Sequence, residues 1–305
     1  VILESPLAFY ESRSRTGQSL NAKQFTSFKT RTLTPHTGAE VFGADLRSPT
    51  ELLVQEITEA LLQYKVLAIR DQDLTREQHK HFASKFGPLH IHPSHRLGRG
   101  RGGDPELFIV RTTAESAFAN GEGWHSDLSC EDMPPMGSLL YVRELPGESG
   151  GDTLFANLCD GFQALSEPLQ QFLQTLDAEH DGRKDLANYN VILDPEIDYP
   201  KATHPLITVH PQTGQPILFV NRSFTQSIKG FHKAESDSLL ELLWTAIESN
   251  PRFHCRVRWA PGTVVFWDNR CTWHRSIWDY YPSTRHAERV TIAGTARPER
   301  WGLRP

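Results

Sequence analysis

The sequence predicts an α+β fold with a mainly β core, a sandwich or barrel of short strands with helices packed outside. Two observations predict it. From about residue 105 onward, short β-rich segments recur between Pro and Gly turns: "LFIVR", "GSLLYVREL", "DTLFANL", "HPLITVH", "PILFVN", "FHCRVRWA", "GTVVFWD" and "ERVTIAG". Strands this short and this frequent favour a sandwich or barrel over a doubly wound sheet. Helical patterns are few, and they precede or interrupt the strands. With 305 residues, 38% of them apolar, the chain is long enough to bury both a core and a pocket.

Residues 1–30 are polar and unpatterned and read as a poorly ordered tail; 31–305 reads as a single domain. "GAEVFGADL" (38–46) predicts a short strand and a turn. "SPTELLVQEITEALLQY" (48–64) predicts a helix with Ser48 as N-cap and Pro49 just inside, its apolar face formed by Leu53, Ile57, Ala60 and Leu61. "KVLAIR" (65–70) follows as a buried strand, and "TREQHKHFASKFG" (75–87) as a helix capped by Thr75 and stopped at Gly87. Two later helices are expected over 166–176 and 233–249. The polar, proline-punctuated stretch 177–205 reads as a long loop of the kind that carries function.

Net charge of -5 gives no reason to expect nucleic acid or an anionic membrane as partner. No apolar run approaches the roughly 18–20 residues of a membrane helix. The four cysteines form no CxxC pair, which suits reduced thiols in a cytoplasmic protein. A homo-oligomer acting on a small molecule is expected. "HRLGRGRGGD" (95–104) opens no helix and interleaves no aromatics, so it reads as a solvated loop. Its second reading is a lid whose Arg96, Arg99 and Arg101 attract an anionic substrate.

The chemistry starts at "GWHSD" (123–127), where His125 and Asp127 stand two apart. Alone, that pair is weak. His274, after the apolar strand of "VVFWDNRCTWH", is a candidate third ligand if the fold brings it near. Two imidazoles and one carboxylate on one face of a metal leave adjacent positions open, which suits Fe(II) and oxygen chemistry. Arg289, on the strand after His274, could then pair bidentately with a cosubstrate carboxylate.

Taken together, "WHSD", "PPMGSLLY", "GGDTLFAN", "VHPQTGQPILFVN", "WDNRCTWH" and "RHAERVTI" resemble, in order, the taurine dioxygenase (TauD/TfdA) family of Fe(II)/2-oxoglutarate-dependent dioxygenases. The resemblance runs from residue 38 nearly to the end. It implies a double-stranded β-helix (jelly roll) with flanking helices, and Fe(II), 2-oxoglutarate and O2 as cofactor and cosubstrates. It implies His125, Asp127 and His274 as iron ligands, Thr153 and Arg289 on the 2-oxoglutarate carboxylate, and Arg285 lining the same pocket. Trp124, Trp267 and Trp273 are expected to pack around the site, and His180 and His210 to be structural.

For the substrate, His92 falls on the segment that gives taurine enzymes a histidine for the sulfonate, and Phe224 on a pocket aromatic. Gly121 stands where those enzymes carry an asparagine near the amine, Cys130 where they carry a phenylalanine, and His95 where they carry a tyrosine. The resemblance therefore implies a roomier pocket with no amine recognition. The expected substrate is an organic anion such as an alkyl or aryl sulfonate, a sulfate ester or an aryloxyalkanoate. Open alternatives are hydroxylation or desaturation of a natural-product intermediate, a non-oxidative metal enzyme, and a non-catalytic binding protein.

Overall fold

The computed structural model describes residues 24–93, 103–147, 149–187, 189 and 192–302. Most of the predicted tail, and His95, Arg96, Arg99 and Arg101 with it, lie outside the described residues. The tail boundary at residue 30 moves forward: Phe28 is buried, and strand β1 (Lys29–Thr32) begins inside the polar stretch by pairing with β2 (Ala39–Phe42).

Helix α1 (Glu51–Tyr64) buries Leu53, Ile57, Ala60 and Leu61 as its spacing predicts. Its N-cap is Thr50, not Ser48. The Thr50 hydroxyl accepts from the Leu53 N–H at 3.1 Å, leaving Pro49 before the helix. Lys65 ends it in the left-handed region (φ 66°), and the chain turns directly into β3 (Val66–Ile69). Helix α2 (Arg76–Ser84) opens with a capping box in which Thr75 and Gln78 bond each other's backbone N–H, and it stops short of Gly87.

The remaining strands are β4 (Phe108–Thr112), β5 (Gly137–Glu144), β6 (Thr153–Asn157), β7 (Asp177–Asp181), β8 (Lys201–Pro205), β9 (Ile207–Val209), β10 (Pro216–Leu218), β11 (Thr225–Ile228), β12 (His254–Val257), β13 (Val264–Asp268), β14 (Thr272–Ser276) and β15 (Arg285–Ile292). Between them run α3 (Leu158–Gln163), α4 (Glu167–Leu173), α5 (Gly182–Ala187) and α6 (Lys233–Glu248). A seven-stranded sheet has the order β1-β2-β3-β13-β5-β15-β4, and a three-stranded one the order β12-β6-β14.

Alternation along the strands explains why they read as continuous apolar runs. Leu67, Ile69, Leu139, Tyr141, Val264 and Phe266 pack with α1 and α2 in one cluster. Their neighbours Val66, Ala68, Leu140, Val142, Val265 and Trp267 join Phe155, Cys255 and Val257 of the smaller sheet in another. A strand buried on both faces has no polar side to show. The outer face of the smaller sheet, with Ala156 and Trp273, packs against residues of α3 and α6. The molecule is thus an α+β fold whose core is two facing sheets, separate ladders among the described residues, with two smaller sheets, β10-β9 and β11-β7-β8, beside them.

One expectation fails. The stretch 177–205 is not a loop: β7 and β8 pair along their lengths, β11 joins β7, and the hairpin carries α5 near its tip. "DAEHD" hid its strand because only Ala178 and His180 turn inward, between acidic residues that face out. No helix among the described residues is long and apolar enough to cross a membrane.

Phe155, 1% exposed, fills the space between the sheets beside Trp267 and His274, with ring centroids 5.7 and 5.9 Å away. Phe155→Ala is expected to cost about 3–5 kcal/mol of stability, read from the shift of a urea unfolding midpoint at unchanged slope.

Candidate functional site

His125 and His274 are set side by side by a local β-bridge. The backbone N–H of each donates to the other's carbonyl, at 3.1 and 2.8 Å, and their rings stand 4.1 Å apart. Because side chains alternate, Asp127 returns to the same side while Ser126 points away to bond the Thr272 carbonyl at 2.8 Å. The turn after β13 then pins the second ligand strand: Asn269 accepts from the Asp127 N–H at 2.7 Å and donates to its carbonyl at 2.9 Å. Nothing in the sequence alone singled out Asn269 for this clamp.

The three side chains converge. Asp127 Oδ1 lies 3.7 Å from His125 Nε2 and 3.9 Å from His274 Nε2. A first-row ion with ligand bonds of about 2.1 Å needs its ligands roughly 3–4 Å apart, so the set fits one. His125 Nδ1 lies 2.8 Å from the Gly123 carbonyl; donating there leaves Nε2 with its lone pair facing Asp127. Burial, reinforced by His125, pushes His274 well below its ordinary value and keeps it neutral. Burial opposes ionisation of Asp127, but the Arg289 guanidinium beside it outweighs burial and holds the carboxyl below the usual carboxylate range. Its second oxygen accepts from Ser138 at 3.2 Å. Two imidazoles and one carboxylate, all buried, could hold a divalent metal with open positions.

A second cluster, His210, Asp268 and Cys271, has similar spacing but a different character. Arg270 forks onto Asp268 at 2.8 and 2.6 Å, and His210 Nε2 meets the same carboxylate at 2.9 Å. Its Nδ1 accepts from the Gln212 and Thr213 N–H groups at 3.3 and 3.2 Å. Those lone pairs are spent, so His210 is structural, as expected. His180 is also structural, buried against Ser129. All four cysteines are buried and unbridged.

A cavity of about 640 Å³ opens beside the triad, within the usual range for small-molecule sites. The candidate cosubstrate and substrate residues line it together with the three metal candidates: Thr153, Arg285 and Arg289, and also His92, Gly121, Cys130 and Phe224. The two arginines differ. Arg285 is buried, with Nε and Nη2 bonded to nothing, and it lies 5.3 Å from the Trp259 ring. Trp259 Nε1 in turn donates to Thr153 Oγ1 at 3.2 Å, so Thr153 and Arg285 share a corner. Gly151 makes that corner possible: its φ is +71° and a Cβ there would sit 2.9 Å from Arg285 Cδ. Arg289 instead bonds Asp127 at 2.6 Å and lies 4.8 Å from the Phe108 ring, which also packs on His92 at 4.5 Å.

Gly121 is more than spare room. At φ +78°, a Cβ would come within 3.2 Å of His125 Cε1, and its N–H donates to the Tyr189 hydroxyl at 3.0 Å. Cys130 packs with Leu128 and Phe224, and its thiol would lie 3.4 Å from a Cβ on Gly182. Trp124 and Trp267 pack on His254 and His274 at 4.9 and 4.8 Å, and Trp273 bonds the Val220 carbonyl. Asp185 and Tyr189 also line the cavity and were missed, because they ride on the hairpin that read as a loop.

The sequence model of the taurine catabolism dioxygenase TauD, TfdA family matches residues 29–291. An alpha-ketoglutarate-dependent dioxygenase of Penicillium expansum, cnsM, is 34% identical over 281 residues, covering 85% of this chain and 76% of its own. An alpha-ketoglutarate-dependent sulfonate dioxygenase of Saccharomyces cerevisiae is 35% identical over 277 residues, covering 86% of this chain and 66% of its own. The crystal structure of a taurine dioxygenase from Burkholderia xenovorans superposes with a TM-score of 0.76 at 34% identity, covering 90% of this chain and 91% of that one. The facing sheets described above are thus a mixed α+β fold related to the jelly roll.

Proposed function

The chain belongs to the TauD/TfdA family of dioxygenases, and from that premise we propose that it oxidises a C–H bond of an alkyl or aryl sulfonate, a sulfate ester or an aryloxyalkanoate. Family membership and the buried His–Asp–His cluster make it an Fe(II)/2-oxoglutarate-dependent dioxygenase acting on a small organic anion. What supports the reading most is Arg285, a buried cation with two unbonded nitrogens in the cavity that the cluster borders. A non-oxidative metal enzyme has no use for such a clamp.

In this proposal His125, Asp127 and His274 hold Fe(II), and the chain from Phe28 onward acts as one catalytic domain. When bound, the metal with 2-oxoglutarate and O2 supplies the oxidation, in which one oxygen atom goes to succinate as CO2 leaves and the other hydroxylates the substrate. The protein binds and orients. The proposal divides the arginines differently from the resemblance: Arg285 and Thr153 take the far carboxylate of 2-oxoglutarate, because two Arg285 nitrogens are unbonded while Arg289 bonds Asp127 and leaves its Nε unbonded. Arg289, beside His92 and Phe108, faces the substrate's anionic head. Apolar walls such as Phe155, Trp267 and Phe224 keep water from the reacting carbon. Hydroxylation at a carbon bearing sulfonate, sulfate or ether oxygen lets that group leave, giving a carbonyl.

Anaerobic reconstitution with Fe(II) and 2-oxoglutarate, then O2 and a panel of sulfonates, sulfate esters and aryloxy acids, tests this. Succinate release stimulated by at least one anion class is expected; stimulation by neutral compounds alone would overturn it. Cys130→Phe is expected to narrow the pocket, costing longer substrates about 10-fold or more in kcat/KM relative to short ones. An unchanged chain-length profile would remove Cys130 from the pocket wall.

A further inference from the structure

A second cavity lies against the turn that holds Asp127, and the proposed function makes no use of it. It has a volume of about 170 Å³ and shares no lining residue with the cavity beside the metal candidates. The last turn of α1, the end of α2 and the turn after β13 meet around it. Leu61, Leu62, Phe86 and Met136 give it apolar walls, and Lys85 and Arg270 give it two cations, with no carboxylate among its lining residues. Arg270 places Nε and Nη2 on Asp268 at 2.8 and 2.6 Å, which leaves the two donors of Nη1 for another partner. Lys85, just past α2, makes no ion pair among the described residues.

This lining selects its ligand. Two cations with no facing acid exclude a cationic guest and favour an anionic one. Asp268 already matches the Arg270 charge, so Lys85 is the cation left to match, and it calls for a single negative charge. The apolar walls suit a hydrocarbon body. At roughly 30 Å³ per water-sized group, the space holds about six heavy atoms. A monocarboxylate with a chain of about four carbons meets all three conditions.

The position of the cavity gives such a ligand something to act on. Asn269, which bonds the Asp127 N–H and carbonyl, stands next to Arg270 in the turn. Its own N–H donates to the Met136 carbonyl at 3.0 Å, and its Nδ2 to the Pro135 carbonyl at 3.1 Å. Two lining residues, Arg270 and Met136, therefore flank the clamp. We propose that this cavity is a regulatory site for a short-chain monocarboxylate, which bridges Lys85 and Arg270 and stiffens the turn through which Asn269 positions Asp127. Occupancy then favours the arrangement that takes the metal, and by linkage the metal favours occupancy by the same factor. The inference rests on the metal role proposed for Asp127 and is independent of the substrate.

Calorimetry of the metal-free protein with butyrate, its neutral match butyramide and inorganic phosphate tests the site. Butyrate is expected to bind about 10-fold tighter or more than butyramide. Lys85→Gln should weaken butyrate about 3–5-fold, and Leu62→Trp, which fills the space, should remove its binding. Saturating butyrate should lower the Fe(II) dissociation constant of the parent about 5-fold or more, and that of Leu62→Trp not at all. Three results each overturn the proposal and leave the proposed function standing: butyramide or phosphate binding as tightly as butyrate, butyrate binding that both variants leave intact, and an Fe(II) affinity that butyrate does not change. A parent that binds no Fe(II), with or without butyrate, overturns the metal reading and this inference with it.

Discussion

Asp127→Ala is expected to form no succinate above background and to bind Fe(II) more weakly, by well beyond the roughly 10–100-fold typical of losing an outer-sphere partner. The carboxylate is the only anionic member of the cluster, and it also carries the Arg289 bond at 2.6 Å. Removing it leaves the buried Arg289 guanidinium uncompensated, a change that costs about 3–5 kcal/mol of stability. Lost activity could then reflect poor folding alone. The double variant Asp127→Ala with Arg289→Met removes the orphaned cation. It should recover most of the stability and none of the iron. Metal content after dialysis separates the two effects, and an Asp127→Ala protein that retained iron and turnover would end the ligand assignment.

Arg285→Met is expected to raise the dissociation constant for 2-oxoglutarate by about 30-fold to several thousand-fold, corresponding to about 2–5 kcal/mol for a buried charge pair. Stability should move the other way. In the free enzyme Arg285 is a buried cation with unbonded nitrogens, so replacing it by an apolar side chain leaves stability unchanged or higher. Adding 2-oxoglutarate should raise the melting temperature of the parent enzyme and fail to raise that of the variant. Arg289→Met is the contrast, with its main effect on substrate affinity and metal retention. If Arg289→Met abolished 2-oxoglutarate binding while Arg285→Met spared it, the two guanidinium roles would have to be exchanged.

Some of the molecule is legible in the sequence alone. The apolar positions of α1, the Thr75 cap and the strand segments follow from local periodicity and capping, and each reappears within a few residues of its expected limits. Thr50 displaced Ser48 as a cap because the acceptor must reach the N–H of Leu53, and Ser48 begins too early. The 177–205 stretch was misread because β7 buries only Ala178 and His180, which is too short an alternation to stand out among its acids. That error hid Asp185 and Tyr189, which line the cavity beside the metal candidates.

By itself the sequence determined the chemical vocabulary: which side chains can ligate, clamp or pack, and which faces of each element are apolar. Only the tertiary structure decided that the His125 and His274 backbones pair, that Asn269 pins Asp127, and that Arg289 bonds Asp127 while two Arg285 nitrogens stay unbonded. Local dihedral preference and periodicity act within a few residues and can be read along the chain. Convergence depends on strand register across long loops. The state of each charge then depends on which groups burial leaves it to face, and neither is encoded in a short stretch of sequence.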